Sequence, residues 1–173
     1  MIEKIIAVDV EDKPIKPISK EDAHVNGVLH RAFSVVLVNP QKDILLQQRA
    51  YHKYHCGGLW SNACCSHPFW GEMTEKAVSR RLHEELGICE LDLEYIGYQL
   101  YYYKLDNGLK EFEFDHVFWG MYDGEISICE KEIENVRWEP MEKNAAEVAS
   151  APLNFTPWFI QMLPMLQKKM NAY

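Results

Sequence analysis

No stretch of the 173-residue chain approaches the roughly 18 consecutive apolar residues of a membrane-spanning helix. The first ten residues carry Glu3, Lys4 and Asp9, too much charge for a secretion leader. An excess of positive charge is also missing. The net charge is −8, which argues against a broad nucleic-acid patch but leaves room for a local anion site. The five cysteines are odd in number and lack disulfide-like spacing, so free thiols in a reducing cytoplasm are expected. Internal repeats, low-complexity tracts and linkers are absent. Residues 1–173 are therefore expected to form a single domain, long enough to bury a core.

What is present alternates between strand and helix signals. Ile5–Val10 predicts a strand, followed by a charged turn with Pro14 and Pro17. Ser19 followed by Glu21 and Asp22 predicts a capped short helix that carries Lys20 and His24 and ends at Asn26-Gly27. Arg31–Asn39 is β-branched and nearly all apolar, a strand buried on both faces. Ile44–Gln48 is the return strand and Ala50–Leu59 a loop. Thr74 reads as an N-cap for a helix over Glu75–Leu86, whose Val78, Leu82 and Leu86 form a stripe, with Gly87 as terminator. Leu91–Leu105 and Lys110–Tyr122 flank the hairpin signal Asp106-Asn107-Gly108. A short strand at Val136–Trp138, a short helix at Met141–Ala149 and a last helix at about Trp158–Met170 complete an α/β (α+β) mixed sandwich with flanking helices.

Chemistry concentrates in two places. The run Trp60–Pro68 sets Cys64 and Cys65 beside His67: a nucleophile with its base, a metal-ligand pair or an acid/base pair. On the strand Glu111–Asp115, alternation puts Glu111, Glu113 and Asp115 on one face, with Glu111 and Glu113 roughly 7 Å apart at their roots. Both carboxylates can then reach one cation, unless the face is merely solvated. His24, His30 and His67 stand in patterned contexts. Three imidazoles with two carboxylates make a mixed N/O site suited to Mn²⁺, Zn²⁺ or Mg²⁺. His52, His55, His83 and His116 are read as ordinary surface or core groups.

Glu72 is followed, after a seven-residue gap, by Arg80-Arg81-Leu82-His83-Glu84-Glu85-Leu86-Gly87-Ile88. This resembles the Nudix box, in which a helix presents carboxylates to Mg²⁺ on a diphosphate. Two positions depart from it: Ser66 stands for the leading glycine and Arg81 for a glutamate. Arginine binds diphosphate directly and lowers the negative charge available to metals, which favours diphosphate binding over its hydrolysis. With Leu29–Ser34, Leu45–Arg49, Trp60–Pro68, Glu111-x-Glu113 and Pro157-Trp158, the chain resembles the type 1 isopentenyl-diphosphate delta-isomerases, a Nudix-fold family.

The resemblance implies Cys65 as the catalytic cysteine, Cys64 as a packed neighbour, and Glu113 as the second catalytic group. It implies His24, His30, His67, Glu111 and Glu113 as ligands of a divalent ion, and Glu85 as the residue associated with the Mg²⁺ that travels with the diphosphate. Lys20, Arg49, Lys53 and Arg81 would hold the diphosphate, and Trp158 would wall the prenyl pocket. A pocket tyrosine is expected from the strand before the hairpin, with Tyr101 and Tyr102 competing and Tyr102 taken. No flavin or nicotinamide is expected. The implied reaction converts isopentenyl diphosphate to dimethylallyl diphosphate for isoprenoid biosynthesis. Glu113, near Tyr102, would give the proton and a Cys65 thiolate would take the other. Two rivals remain: a Nudix hydrolase of a nucleoside diphosphate derivative, and a non-enzymatic module folded around zinc through Cys64, Cys65 and His67.

Overall fold

The structure, a computed structural model, describes residues 3–172. It is built around one strand, β3 (His30–Val38), whose alternating side chains enter two different cores. Phe33, Val35 and Leu37 pack with Ala77, Val78, Leu82 and Leu86 of a helix, α2 (Thr74–Leu86). Val36 and Val38 pack with Phe159, Met162, Leu163 and Leu166 of a second helix, α4 (Pro157–Ala172). The apolar run is thus continuous because both faces are covered, as expected for a central strand.

The described strands join in one mixed sheet. β1 (Lys4–Val8) and β2 (Pro14–Ser19) form an antiparallel pair at one edge. β4 (Asp43–Arg49) pairs antiparallel with β5 (Trp60–Asn62) and β9 (Ile133–Pro140). β7 (Glu94–Lys104) and β8 (Lys110–Met121) form the expected hairpin, and β8 runs parallel to β3. β6 (Cys64–Ser66) pairs antiparallel with β3, Ser34 opposite Cys65. The remaining helices are α1 (Lys20–Asn26) and α3 (Met141–Ser150). The mixed α/β architecture is the one the sequence predicts.

Three local expectations change. The Pro14/Pro17 segment is a strand rather than a turn; it lies at the sheet edge, where a missing N–H is tolerated. β5 and β6 do not emerge from periodicity, because each is only three residues long. Side chains pin them instead: Asn62 Nδ2 donates to the Val35 and Cys64 carbonyls (3.1 and 2.8 Å), and Gln47 Nε2 to the Ala63 carbonyl (2.8 Å). Helix α2 begins at Thr74 itself, with Met73 at the cap position and no side-chain cap bond. The other helix ends follow the sequence signals: Ser19 Oγ accepts from Asp22 N–H, and Gly27 and Gly87 close α1 and α2 at φ 66° and 72°.

Candidate active site

Cys65 on β6 and Glu113 on β8 flank the same strand. Ser34 of β3 is opposite Cys65 on one side, and His30 of β3 is opposite Glu113 on the other. Both side chains line one cleft. Lys20, Arg49, Lys53, Arg81, Glu85, His67, Glu111 and Trp158 line the same cleft. Cys64, by contrast, is fully buried in the core against α2.

Three imidazoles converge behind Glu113. His24 Nδ1 donates to the Lys20 carbonyl (2.6 Å) and His30 Nδ1 to the Val28 carbonyl (2.8 Å). These bonds fix the tautomer and aim each Nε2 inward. His67 Nε2 and His30 Nε2 lie 2.9 and 3.4 Å from Glu113 Oε1, and 3.2 Å from one another. Bonds of about 2.1 Å to a divalent ion place neighbouring ligands about 3.0 Å apart in octahedral geometry. His24, His30, His67 and Glu113 offer ligand atoms that all lie within 4.8 Å of one another. His24 Nε2 is buried with no hydrogen-bond partner. These residues fit a divalent cation. Glu111 stands beside them, its Oε2 3.2 Å from His24 Nε2. Burial pushes the His67 imidazolium down to about 3, so that its ring is neutral at pH 7 and free to ligate. Neither Cys64 nor Cys65 belongs to a cluster of ligand atoms among the described residues, which leaves the zinc-module rival without a site.

The cations gather on the other side of the cleft. Lys20 leads α1, Arg49 ends β4, Lys53 sits on the following loop and Arg81 on α2. Burial lowers the Lys20 pKa, and the Arg49 and Lys53 charges lower it further, as in a site with positive charge to spare. Arg49 Nε and Arg81 Nε are buried without partners, donors left over for an anion. Arg81 pairs with Glu84 (2.8 Å), with Glu85 and with Glu132 (3.3 Å). The arginine that departs from the Nudix box therefore offsets part of the negative charge of Glu84, Glu85 and Glu132. Glu72, the first glutamate of the box, makes a two-pronged bond to Arg80 (2.8 and 2.9 Å) rather than facing this cleft.

Trp158 is placed by its neighbours. Thr156 N–H donates to the Trp60 carbonyl (2.9 Å), tying the start of α4 to β5. Trp158 Nε1 donates to Ser61 Oγ (3.0 Å), and the Arg49 guanidinium stands 5.4 Å from the ring centre.

One choice is corrected. Tyr102 is 53% exposed and packs edge-on against Phe112, whereas Tyr101 is buried and its hydroxyl donates to Glu113 Oε2. The hairpin register sets Tyr101 opposite Glu113 and Tyr102 opposite Phe112. Directly opposed residues share a face, so counting outward from Asp106-Asn107-Gly108 would have selected Tyr101. Tyr101→Phe is expected to lower turnover roughly 10–100-fold, the size of one hydrogen bond to a charged group. Tyr102→Phe should stay within twofold; steady-state kinetics of the two variants decide between them.

Cys65 also differs from expectation: burial pushes its thiol up to about 12, with Arg49 opposing, so in this pocket it is a thiol rather than a thiolate. Sequence reasoning missed three groups. His55 lies against Glu111; Glu132 pairs with Lys53; and Asp115, behind Glu113, accepts from Ser34 Oγ and Gln99 Nε2 (2.9 and 2.8 Å). Burial, and then the Glu113 charge, raise the Asp115 carboxyl to about 8. Only Asp115 carried a sequence signal, its shared face with Glu111 and Glu113.

A helix carrying acids and arginines beside a mixed sheet, with a polar cleft between them, defines a Nudix domain, and the NUDIX domain family matches residues 28–159. The fold is shared with the solved structure of DR0079 from Deinococcus radiodurans (TM-score 0.77, 16% identity, 94% of this chain and 98% of that one). It is shared as well with the MutT protein from Methanosarcina mazei (TM-score 0.66, 16% identity, 82% and 94%). Within that class the curated relatives are more specific. The isopentenyl-diphosphate Delta-isomerase of Pectobacterium atrosepticum is 43% identical over 90% of this chain and 87% of its own length. That of Photobacterium profundum is 40% identical over 98% and 97%. The chain belongs to the isopentenyl-diphosphate Delta-isomerase family.

Proposed function

We infer that the chain isomerises isopentenyl diphosphate to dimethylallyl diphosphate, as a single-domain cytoplasmic enzyme of isoprenoid biosynthesis. One observation carries this most: a thiol and a carboxylate, Cys65 and Glu113, line one small cleft with Lys20, Arg49, Lys53 and Arg81. The five free cysteines suit a reducing compartment.

The reaction moves a hydrogen across an allylic unit. A proton adds to the terminal alkene carbon, a tertiary carbocation forms, and a proton leaves the far carbon while its C–H electron pair makes the new double bond. One protonated and one ionised group are needed, on either side of the substrate. Glu113 with the Tyr101 hydroxyl serves one end and Cys65 the other. The alkene is a very weak base, so the transfer depends on placement and on keeping water from the cation. The Trp158 ring face stabilises positive charge by about 0.5–2 kcal/mol, a small share of the barrier.

Lys20, Arg49, Lys53 and Arg81 neutralise the diphosphate, with Glu85 available to Mg²⁺ on it. His24, His30, His67, Glu111 and Glu113 would hold a divalent ion (Mn²⁺, Zn²⁺ or Mg²⁺). When bound, that ion supplies positive charge that fixes the Glu113 carboxylate. The test is incubation with isopentenyl diphosphate and Mg²⁺ in deuterated water, followed by NMR. The expected result is dimethylallyl diphosphate carrying deuterium, with no phosphate released. Release of phosphate or pyrophosphate without isomerisation would return the chain to the hydrolases.

A further inference from the structure

His55 belongs to none of the motifs, yet the fold buries it at the metal centre. It follows Lys53 on the loop between β4 and β5, and it is 7% exposed. Its Nε2 lies 2.7 Å from Glu111 Oε1, while His24 Nε2 lies 3.2 Å from the other oxygen, Oε2. Both contacts are within ion-pair distance, yet Glu111 Oε1 and His24 Nε2 are buried without a hydrogen-bond partner. Two imidazole nitrogens facing one buried carboxylate, with a carboxylate oxygen and a ring nitrogen lacking hydrogen-bond partners, form an arrangement that donors sharing a cation adopt. The ligand atoms of His24, His55 and Glu111 all lie within 4.8 Å of one another. This triad shares His24 with the cluster of His24, His30, His67 and Glu113.

We propose that His55 is a further ligand of the divalent centre in this chain, binding beside Glu111 and His24. The donor set becomes four imidazoles and two carboxylates. The proposal rests on the metal centre of the reading above, not on the reaction. His24 and His30 have their Nδ1 atoms tied to backbone carbonyls, but His55 Nδ1 has no partner. The His55 ring packs against Tyr54 at 4.4 Å between ring centres, with its Nε2 against Glu111. An extra imidazole shifts preference from Mg²⁺ toward later divalent metals such as Co²⁺ and Zn²⁺. It also puts a metal ligand and the cation Lys53 on one short loop.

The experiment uses the full chain, stripped with a chelator and titrated with Co²⁺ by calorimetry and visible absorption. His55→Ala and His55→Gln are compared with wild type and with His52→Gln, a change at an exposed histidine on the same loop. Both His55 variants are expected to bind Co²⁺ ten- to a hundredfold more weakly and to alter its d–d bands, while Mg²⁺ affinity changes less than threefold. His52→Gln should match wild type. Thermal melts followed by circular dichroism identify a variant that has lost its fold, in which case the other variant carries the comparison. Wild-type affinity and an unchanged spectrum in a folded His55 variant would overturn the proposal. A wild-type chain that binds no Co²⁺ would overturn it together with the metal centre. A chain that binds Co²⁺ through His55 but does not isomerise would sustain it while removing the isomerase reading.

Discussion

Cys65→Ala and Glu113→Gln each reduce turnover by at least about 10³-fold, the scale expected when one of two positioned proton-transfer groups is removed. The two losses have different signatures. Cys65 lies outside the histidine cluster, so Cys65→Ala keeps the metal affinity of the wild type. It shifts stability by no more than about 1 kcal/mol, because only a sulfur atom at the cleft wall is lost. Glu113→Gln removes a charged oxygen from among His30, His67 and Tyr101, so it weakens metal binding as well. Cys65→Ser is nearly as inactive as the alanine, since a hydroxyl is a far weaker acid than a thiol. The double variant should lose little more than the worse single one, because the groups act as a unit. Near-wild-type turnover in either single variant, measured with isopentenyl diphosphate under saturating Mg²⁺, would sink the role assignment.

Arg81→Glu carries the second large effect. It restores the glutamate that the Nudix box has at this position and removes the guanidinium that bridges Glu84, Glu85 and Glu132. Loss of charge-assisted bonds to the diphosphate, with carboxylates left facing it, costs about 2–4 kcal/mol, or roughly 30–1,000-fold in kcat/KM. The loss should fall mainly on KM, and inhibition by inorganic pyrophosphate should weaken in parallel. Arg81→Lys keeps the charge but not the planar fork, and is expected to lie between the two. If pyrophosphate inhibits Arg81→Glu as well as it inhibits wild type, Arg81 does not touch the diphosphate.

The frame was readable wherever a regular period met a cap. The β3 run, the α2 stripe, Gly27, Gly87 and the Asp106-Asn107-Gly108 hairpin all match the structure. β5 and β6 were not readable, because two three-residue strands have no measurable period and are held by Asn62 and Gln47 side chains instead. The gathering of Cys65, Glu113 and His67 on one cleft, with His24 and His30 clustered on Glu113, could be stated from the resemblance. From the residues alone it could not, since it depends on β6 and β8 both bonding to β3. His55 and Glu132 had no signal at all: each lies in an irregular connection and acquires its partner, Glu111 or Lys53, only through tertiary contact.

The branching of the sheet at β3 has a kinetic corollary. β3 bonds to β6 and β8 and is buried on both faces, so its amides should open to solvent only when the whole domain unfolds. The span between the Cys65 and Glu113 backbones is then as durable as the native state itself. The cation-bearing loop from Ala50 to Leu59, which carries Lys53 and His55, lies outside that strand and can breathe far more often. Hydrogen exchange would resolve two tempos in one molecule: a slow frame at β3 and a fast collar at the cation-bearing loop.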